Sequence, residues 1–318
     1  MQQGKHQVTN TLCLDENYST TRMVAQEKPE IVNNPETVLF LPEGKGRKGE
    51  GGLRTKGYFK KSYKDKPLIS VITVVHNGEK YLEQTIQSVL NQMYSNIEYI
   101  IIDGGSTDCT VDIIKKYEDK IDYWVSEKDS GISDAFNKGV MAASGDYINF
   151  QGDGDGFCST DVLDKVFWDV DPEKDMFVSA RIQRIDENGN ELYLSKYQKK
   201  FDKRSLLFRM SLPHQGLFTH ASYFKKYGLF DLNNIFCMDY EHLLRAYKEF
   251  PKVLPKDIVA ARWRADGVGN GRTLEIYKEY DKIKRDNKVA NSLVLYFIKY
   301  WILFKYFAKA LFLKGGEQ

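Results

Sequence analysis

The chain has 318 residues, 42% hydrophobic and 28% charged, enough for one large domain with appendages or two small ones around a substantial core. A formal net charge of +2 gives no global attraction for nucleic acid, which is therefore not expected as a partner. Cys13, Cys109, Cys158 and Cys237 are scattered without paired or metal-ligand spacing, against disulfide and zinc frameworks; with no apolar leader in the first fifteen residues, the cytoplasm is the expected compartment.

Residues 1–66 read as an N-terminal extension, partly irregular. Lys and Arg concentrate at 45–66, and the glycine-rich, charged run 44–52 reads as a flexible linker or surface loop, with basic phosphate binding as its alternative. Order is expected to begin after Pro67. Leu68–Val75 is a nearly continuous β-branched run, as expected of a strand buried on both faces. A helical pattern follows over 79–91, a second strand over Ile97–Asp103, and a helix through Tyr117. A third strand at Tyr123–Val125 leads to a helix over 132–143, and a fourth strand is Tyr147–Phe150.

Four alternations in about 85 residues predict an α/β fold, a mostly parallel, Rossmann-like sheet flanked by helices, with its ligand site at the C-terminal strand ends. Polar residues fall there: His76 and Asn77, Asp103, Asp129, then Asp153 with Asp155. Asn188-Gly189 signals a hairpin between 176–184 and 191–197, and helices are expected near 205–210, over 238–250 and from Thr273 onward.

In Asp153-Gly154-Asp155, residues i and i+2 at a strand end are expected to face one cation, and hard oxygens suit Mn²⁺ or Mg²⁺ bridging a diphosphate. A calcium loop fails, because it would need carboxylates at Gln151 and Val162. Asp103-Gly-Gly-Ser-Thr-Asp108 sits at a strand-to-helix junction, where exposed backbone N–H groups could receive a nucleotide and Asp103 could accept from a base or ribose. Asp134 either binds the donor or pairs with Lys138 at i,i+4.

The runs Val71–Asn77, Asp103–Asp108, Asp129–Gly139 and Ser144–Asp155, in that order, resemble the family 2 glycosyltransferases, in particular a bacterial surface-polysaccharide branch. The likeness spans about Pro67 to Arg264. It implies the GT-A fold, with a catalytic domain over 67–265 made of a nucleotide-sugar half (67–155) and an acceptor half (156–265). It also implies that His76 and Asp103 help hold the nucleoside, that Asp134 lies near the donor, and that Asp155, with Asp153, holds the metal. Cys237–Arg245 resembles the family region that supplies the catalytic base. That marks Asp239, with Glu241 as fallback, and His214-Gln215 resembles an element near the acceptor. The implied activity is metal-dependent, inverting transfer from a nucleotide-sugar, a UDP-sugar by expectation, to a hydroxyl of a glycan or lipid-linked oligosaccharide. A sugar nucleotidyltransferase is the alternative, although His76-Asn-Gly-Glu-Lys80 is poor for cradling a triphosphate. A non-catalytic membrane-associated relative is another, and a dinucleotide-dependent oxidoreductase lacks its glycine fingerprint after the first strand.

Residues 266–318 read as a helical segment. Leu293–Leu313 is long enough to span a bilayer, but Lys299, Lys305 and Lys309 would each cost ~2.5–3.5 kcal/mol at its centre. On a helical wheel the lysines share one half, with Ile302 and Leu303 intruding, opposite an aromatic face. The pattern suits a helix lying in the membrane interface, on the inner face of the membrane; packing on the catalytic domain or a homo-oligomer contact is the alternative.

Overall fold

The computed structural model describes residues 11–30, 37–44, 46–265, 267 and 271–314, with side chains to residue 308. In chain order the elements are β1 (Gly49–Gly51), β2 (Ile69–Val75), α1 (Leu82–Leu90), β3 (Ile97–Asp103), α2 (Thr110–Lys116), β4 (Tyr123–Ser126), α3 (Ile132–Ala142) and β5 (Tyr147–Phe150). Next come β6 (Gly156–Phe157), α4 (Val162–Phe167), β7 (Phe177–Ile185), β8 (Glu191–Leu194), β9 (Leu217–His220), α5 (Ala221–Tyr227) and α6 (Met238–Arg245). The chain closes with β10 (Val253–Arg264), α7 (Thr273–Asp286) and α8 (Ser292–Lys314).

The strands form one sheet in the order β1-β4-β3-β2-β5-β9-β7-β10-β6, with β8 beside β7. Neighbours from β4 to β5 run parallel, β9 is antiparallel to both flanking strands, and β7 and β10 are parallel. Every residue of β2, β3, β4 and β5 is buried, so their apolar runs have helices or loops on both faces. One core lies under α1, from Ile69, Val71, Leu82, Ile86 and Tyr99. The opposite core lies under α3, from Ile72, Ile100, Phe136, Val140 and Phe150. The sheet runs unbroken from residues 67–155 into residues 156–265.

Residues 46–52, expected as a flexible linker or surface loop, are docked on the sheet. β1 pairs antiparallel with edge strand β4 and covers that edge. Arg54, which follows β1, reaches a fully buried position: Nη2 pairs with Glu98 of β3, and Nη1 donates to the Leu39 and Ala142 carbonyls at 3.0 and 2.8 Å. Arg47 pairs with Glu127 at 2.9 Å. The charges that made residues 44–52 look like a loop are thus the groups that dock it. Residues further toward the N-terminus wrap α1, with Ser19 and Arg22 donating to the carbonyls of Val89, Gln92 and Met93 at 2.6–3.0 Å.

The C-terminal segment is equally integral. In α7, the Glu279 carboxylate accepts from the backbone N–H groups of Phe236 and Cys237 at 3.2–3.3 Å and so caps the start of α6. Tyr280 packs at a tilt against Tyr240, ring centroids 4.3 Å apart. In α8, Leu295 and Ile298 are buried and Lys299 reaches Asp281 of α7 at 3.5 Å. Ile302 and Leu303, the apolar residues on the lysine side, are half-buried. Lys299 therefore turns toward the protein, whereas Lys305 is exposed beside Trp301. Lys309 lies outside the described side chains. The exposed side of α8 is rich in apolar residues: Leu293, Tyr296, Phe297, Tyr300, Trp301, Phe304 and Phe307 are each at least half exposed. No helix among the described residues is long and apolar enough to cross a membrane.

Candidate functional site

After β5 the chain makes a tight turn through Gly152–Asp155. The Asp155 N–H donates to the Gly152 carbonyl at 2.9 Å. Thr85 of α1 clamps the turn: its Oγ1 accepts from the Gly154 N–H at 3.0 Å and donates to the Asp155 carbonyl at 2.7 Å. The Asp155 carboxyl is buried; Oδ1 accepts from the Arg264 N–H at 3.1 Å and Oδ2 from Gln215 Nε2 at 2.9 Å. Burial pushes its pKa up to about 7 against the pull of these hydrogen bonds, and the Asp153 charge adds to the rise.

Asp153 turns toward the β2–α1 loop. A methyl on Gly78 would come within 2.7 Å of its carboxyl, so the bare glycine backbone is what admits Asp153 there. The two carboxyls therefore rest on different neighbours. Strand alternation stops at Phe150, and turn geometry, not an i,i+2 rule, sets their directions.

Among the described residues no group of three or more His, Cys, Asp or Glu is placed to hold a metal ion. A two-carboxylate set still fits Mg²⁺ or Mn²⁺, because such ions keep waters and take phosphate oxygens from a substrate. Each carboxylate oxygen also has more than one lone-pair site, so Asp155 Oδ2 can face a cation beside Gln215.

The loop after β3 is organised from inside. Asp103 is fully buried, and its carboxylate accepts from the Gly105 and Ser106 N–H groups at 3.1 and 3.0 Å, from Ser126 Oγ at 2.6 Å and from Ser106 Oγ. The Thr107 N–H donates to Asn77 Oδ1 at 2.9 Å. Asp103 thus shapes the loop, where a direct nucleoside contact was expected, and the backbone donors expected to meet a nucleotide are engaged. His76 is exposed at the mouth. A methyl at Gly104 would meet the Asp129 carboxylate at 2.5 Å and His76 Nδ1 at 3.4 Å, so three strand ends converge there.

Asp239 stands in the first turn of α6, with Oδ2 3.4 Å from His214 Nδ1. His214 lies among aromatic rings, edge-on to Phe150 at 4.4 Å and stacked on Phe136 at 5.3 Å between centroids. Its Nε2 is buried with no hydrogen-bond partner among the described residues. The pair borders a cavity of about 20 Å³ lined by Phe150, Thr219, Tyr223 and Phe230. His214 and Gln215 are consecutive, so one short turn touches Asp239 with one side chain and Asp155 with the next.

Residues 70–230 match the family described as glycosyl transferase family 2. The chain belongs to this family. It is 33% identical over 187 residues to an uncharacterised glycosyltransferase of Rickettsia typhi, covering 55% of this chain and 57% of that one. It is 43% identical over 104 residues to the putative teichuronic acid biosynthesis glycosyltransferase TuaG of Bacillus subtilis, covering 31% and 40%. The chain spans less than two thirds of the length of the first of these relatives. By fold it resembles S. aureus TarS 1-349 in complex with UDP-GlcNAc, at TM-score 0.59 and 17% identity over 76% of this chain and 73% of that one. It also resembles the mannosyltransferase PcManGT of Pyrobaculum calidifontis in complex with GDP-Man and Mn²⁺, at TM-score 0.53 and 14% identity over 71% and 66%. The likenesses bear out the GT-A fold.

Within this glycosyl transferase family 2 chain, Asp134 serves its own loop: Oδ2 accepts from the Ser130 N–H at 2.9 Å and lies 3.7 Å from Lys138, whose nearer partner is Glu127 at 2.8 Å. Glu241 is committed to Arg245 through contacts of 2.6–3.0 Å, and Arg245 also donates to the Tyr227 and Leu229 carbonyls at 2.7 Å. That lock removes Glu241 as the fallback base and as an acceptor contact. Three residues at the acidic turn were not foreseen: Thr85, Gln215 as a donor to Asp155, and Arg264, whose guanidinium lies 3.7 Å above the Tyr81 ring. Arg264 carried no local signal, because its strand lies 109 residues beyond Asp155.

Proposed function

We propose that this protein transfers a sugar, with inversion, from a UDP-sugar to a hydroxyl of a glycan acceptor in surface-polysaccharide synthesis. The observation that carries the reading is the turn at His214-Gln215, which touches the base candidate with one side chain and the acidic donor motif with the next. Asp155, with Asp153, would hold Mn²⁺ or Mg²⁺, which when bound supplies charge neutralisation to the leaving diphosphate. Asp239 takes the proton of the acceptor hydroxyl, which attacks the anomeric carbon from the face opposite the nucleotide. An α-linked donor then gives a β-linked product. The His214 ring lies beside the Asp239 carboxyl, and Phe136, Phe150 and Phe230 pack around that ring. UDP-GlcNAc bound to TarS and GDP-Man with Mn²⁺ bound to PcManGT support a nucleotide-sugar donor and a divalent cation.

The deciding experiment is a thermal-shift panel of UDP-, GDP- and dTDP-sugars with and without Mn²⁺. A UDP-sugar with Mn²⁺ should raise the unfolding temperature, by about 2.7 kcal/mol of stabilisation at one hundred times Kd. Asp155→Asn should abolish the Mn²⁺-dependent part. A panel with no shift for any donor would sink the reading.

The acceptor is read as lipid-linked, with the protein peripheral on the inner face of the membrane. What supports this is the outward face of α8, with Trp301 and Tyr300 among its exposed aromatics and Lys305 beside Trp301 at 5.0 Å. In co-sedimentation with phosphatidylglycerol-containing vesicles, Phe297→Ser/Phe304→Ser should bind at least about tenfold more weakly, since each buried Phe contributes roughly 1.5–3 kcal/mol. Both positions are exposed, so the fold should be unchanged. Wild-type protein that stays in the supernatant would remove the membrane from the account.

A further inference from the structure

We infer that Lys48, on the N-terminal arm outside the family-matched segment, is a nucleoside-binding residue that completes the donor site. This inference rests on the nucleotide-sugar reading. Around the loop after β3 many backbone donors already have partners within the protein. The Gly105 and Ser106 N–H groups are held by Asp103, and the Thr107 N–H by Asn77. The next helix start offers no replacement: the Cys109 N–H donates to Glu79 Oε2 at 3.2 Å and the Thr110 N–H to Asp108 Oδ1 at 3.0 Å. The backbone donors of Gly105, Ser106, Thr107, Cys109 and Thr110 are therefore already engaged.

Lys48 brings a side-chain donor to the same loop. Its ammonium donates to the Gly105 and Ser106 carbonyls at 2.9 and 2.8 Å, on the loop neighbouring His76 and Asp129. An ammonium carries three N–H donors, and two loop carbonyls leave a third for a ligand oxygen. The residue is exposed, yet its backbone is fixed, because the Lys48 N–H donates to the Ser126 carbonyl at 2.7 Å. On either side, β1 pairs with β4, and Arg47 pairs with Glu127, which also holds Lys138 of α3. A flexible chain end would lose affinity by having to order on binding; a strand-anchored lysine does not. The chemistry that fits is a neutral oxygen acceptor, a pyrimidine carbonyl or a ribose hydroxyl, at the nucleoside end of the donor.

Isothermal titration of the full chain with uridine, UMP and UDP, in the absence of divalent metal, tests this. Lys48→Met should weaken all three alike by about tenfold, the loss of one charge-assisted hydrogen bond. Lys48→Arg, which keeps a charged donor, should stay within about threefold of wild type. Both variants should match the wild-type unfolding temperature. Unchanged UMP affinity in Lys48→Met would overturn the inference. So would a loss confined to UDP, which marks a β-phosphate contact, a loss absent when uridine is the ligand, which marks the α-phosphate, or an equal loss in both variants with lowered unfolding temperatures, which marks a loosened loop. Wild-type protein that binds neither nucleotide would overturn the glycosyltransferase reading itself.

Discussion

Asp239→Asn should lower kcat by ~10²–10⁴-fold while leaving nucleotide binding intact, the span that general-base catalysis typically contributes. The isosteric amide keeps the shape of the first turn of α6 and can still meet His214, 3.4 Å from the native carboxylate, but it cannot take the acceptor proton. The start of α6 is set from outside its own sequence, by Glu279 capping the N–H groups of Phe236 and Cys237. The substitution should therefore alter chemistry without moving the helix. The measurement pairs steady-state turnover with titration of UDP, and near-normal turnover would remove Asp239 from the role. Glu241→Gln is the informative companion. It removes the charge and one of the two acceptors that meet Arg245 and should lower stability, with kcat following only as folded protein is lost.

Arg54→Met is expected to cost about 3–5 kcal/mol of stability, the range for leaving one member of a buried ion pair alone. Arg54 and Glu98 are each 1% exposed, and total stability is of the order of 5–15 kcal/mol, so the variant is close to unfolding. Arg54→Met/Glu98→Leu should recover most of the loss, because it removes the stranded charge. In wild type, burial would raise the Glu98 pKa, but Arg54 and the hydrogen bonds from Ser144 and Ser70 hold it below its ordinary 4.5. A depressed carboxyl stabilises the fold above pH 4.5, and that contribution is lost as the pH falls through the lower folded value. In Arg54→Met burial prevails and the sign reverses: the raised carboxyl penalises the fold as pH rises above 4.5. The gap between variant and wild type should therefore narrow on acidification, by urea denaturation at neutral pH and at about pH 5. A gap independent of pH would show that Glu98 does not carry the effect.

The parts of the fold legible in sequence were those with a local signature. β2, β3 and β5 announce themselves as short apolar runs because both faces are buried, and each lies within one residue of its expected bounds. β10 escaped although it runs inside the sheet. Pro255, Lys256 and Asp257 interrupt its apolar pattern at the register shift between Pro255 and Val259, where the ladder with β7 is already broken. β1 escaped because Gly-Glu-Gly has no strand propensity and is held by its partner β4.

The candidate site divides in the same way. The order of Asp103, Asp153, Asp155 and Asp239 was readable from family motifs. Whether each carboxylate looks outward or inward was not, because that depends on donors far along the chain. Asp155 meets Gln215 and the Arg264 backbone 60 and 109 residues away, and Ser126, 23 residues on, helps turn Asp103 inward.

β10 and Arg54 also bear on what counts as the folding unit. A gene fragment trimmed to the family-matched residues 70–230 would delete β10, leaving β6 and one side of β7 without partners. It would delete Arg54 as well, so that Glu98 would lie in the core with no counter-ion. Asp155 would lose the amide that holds Oδ1. The segment that evolution marks as one family is thus not one that physics would fold alone. Truncation studies should cut outside residues 11–298, from Leu12, which bridges Val24, to Ile298 of α8, which is buried.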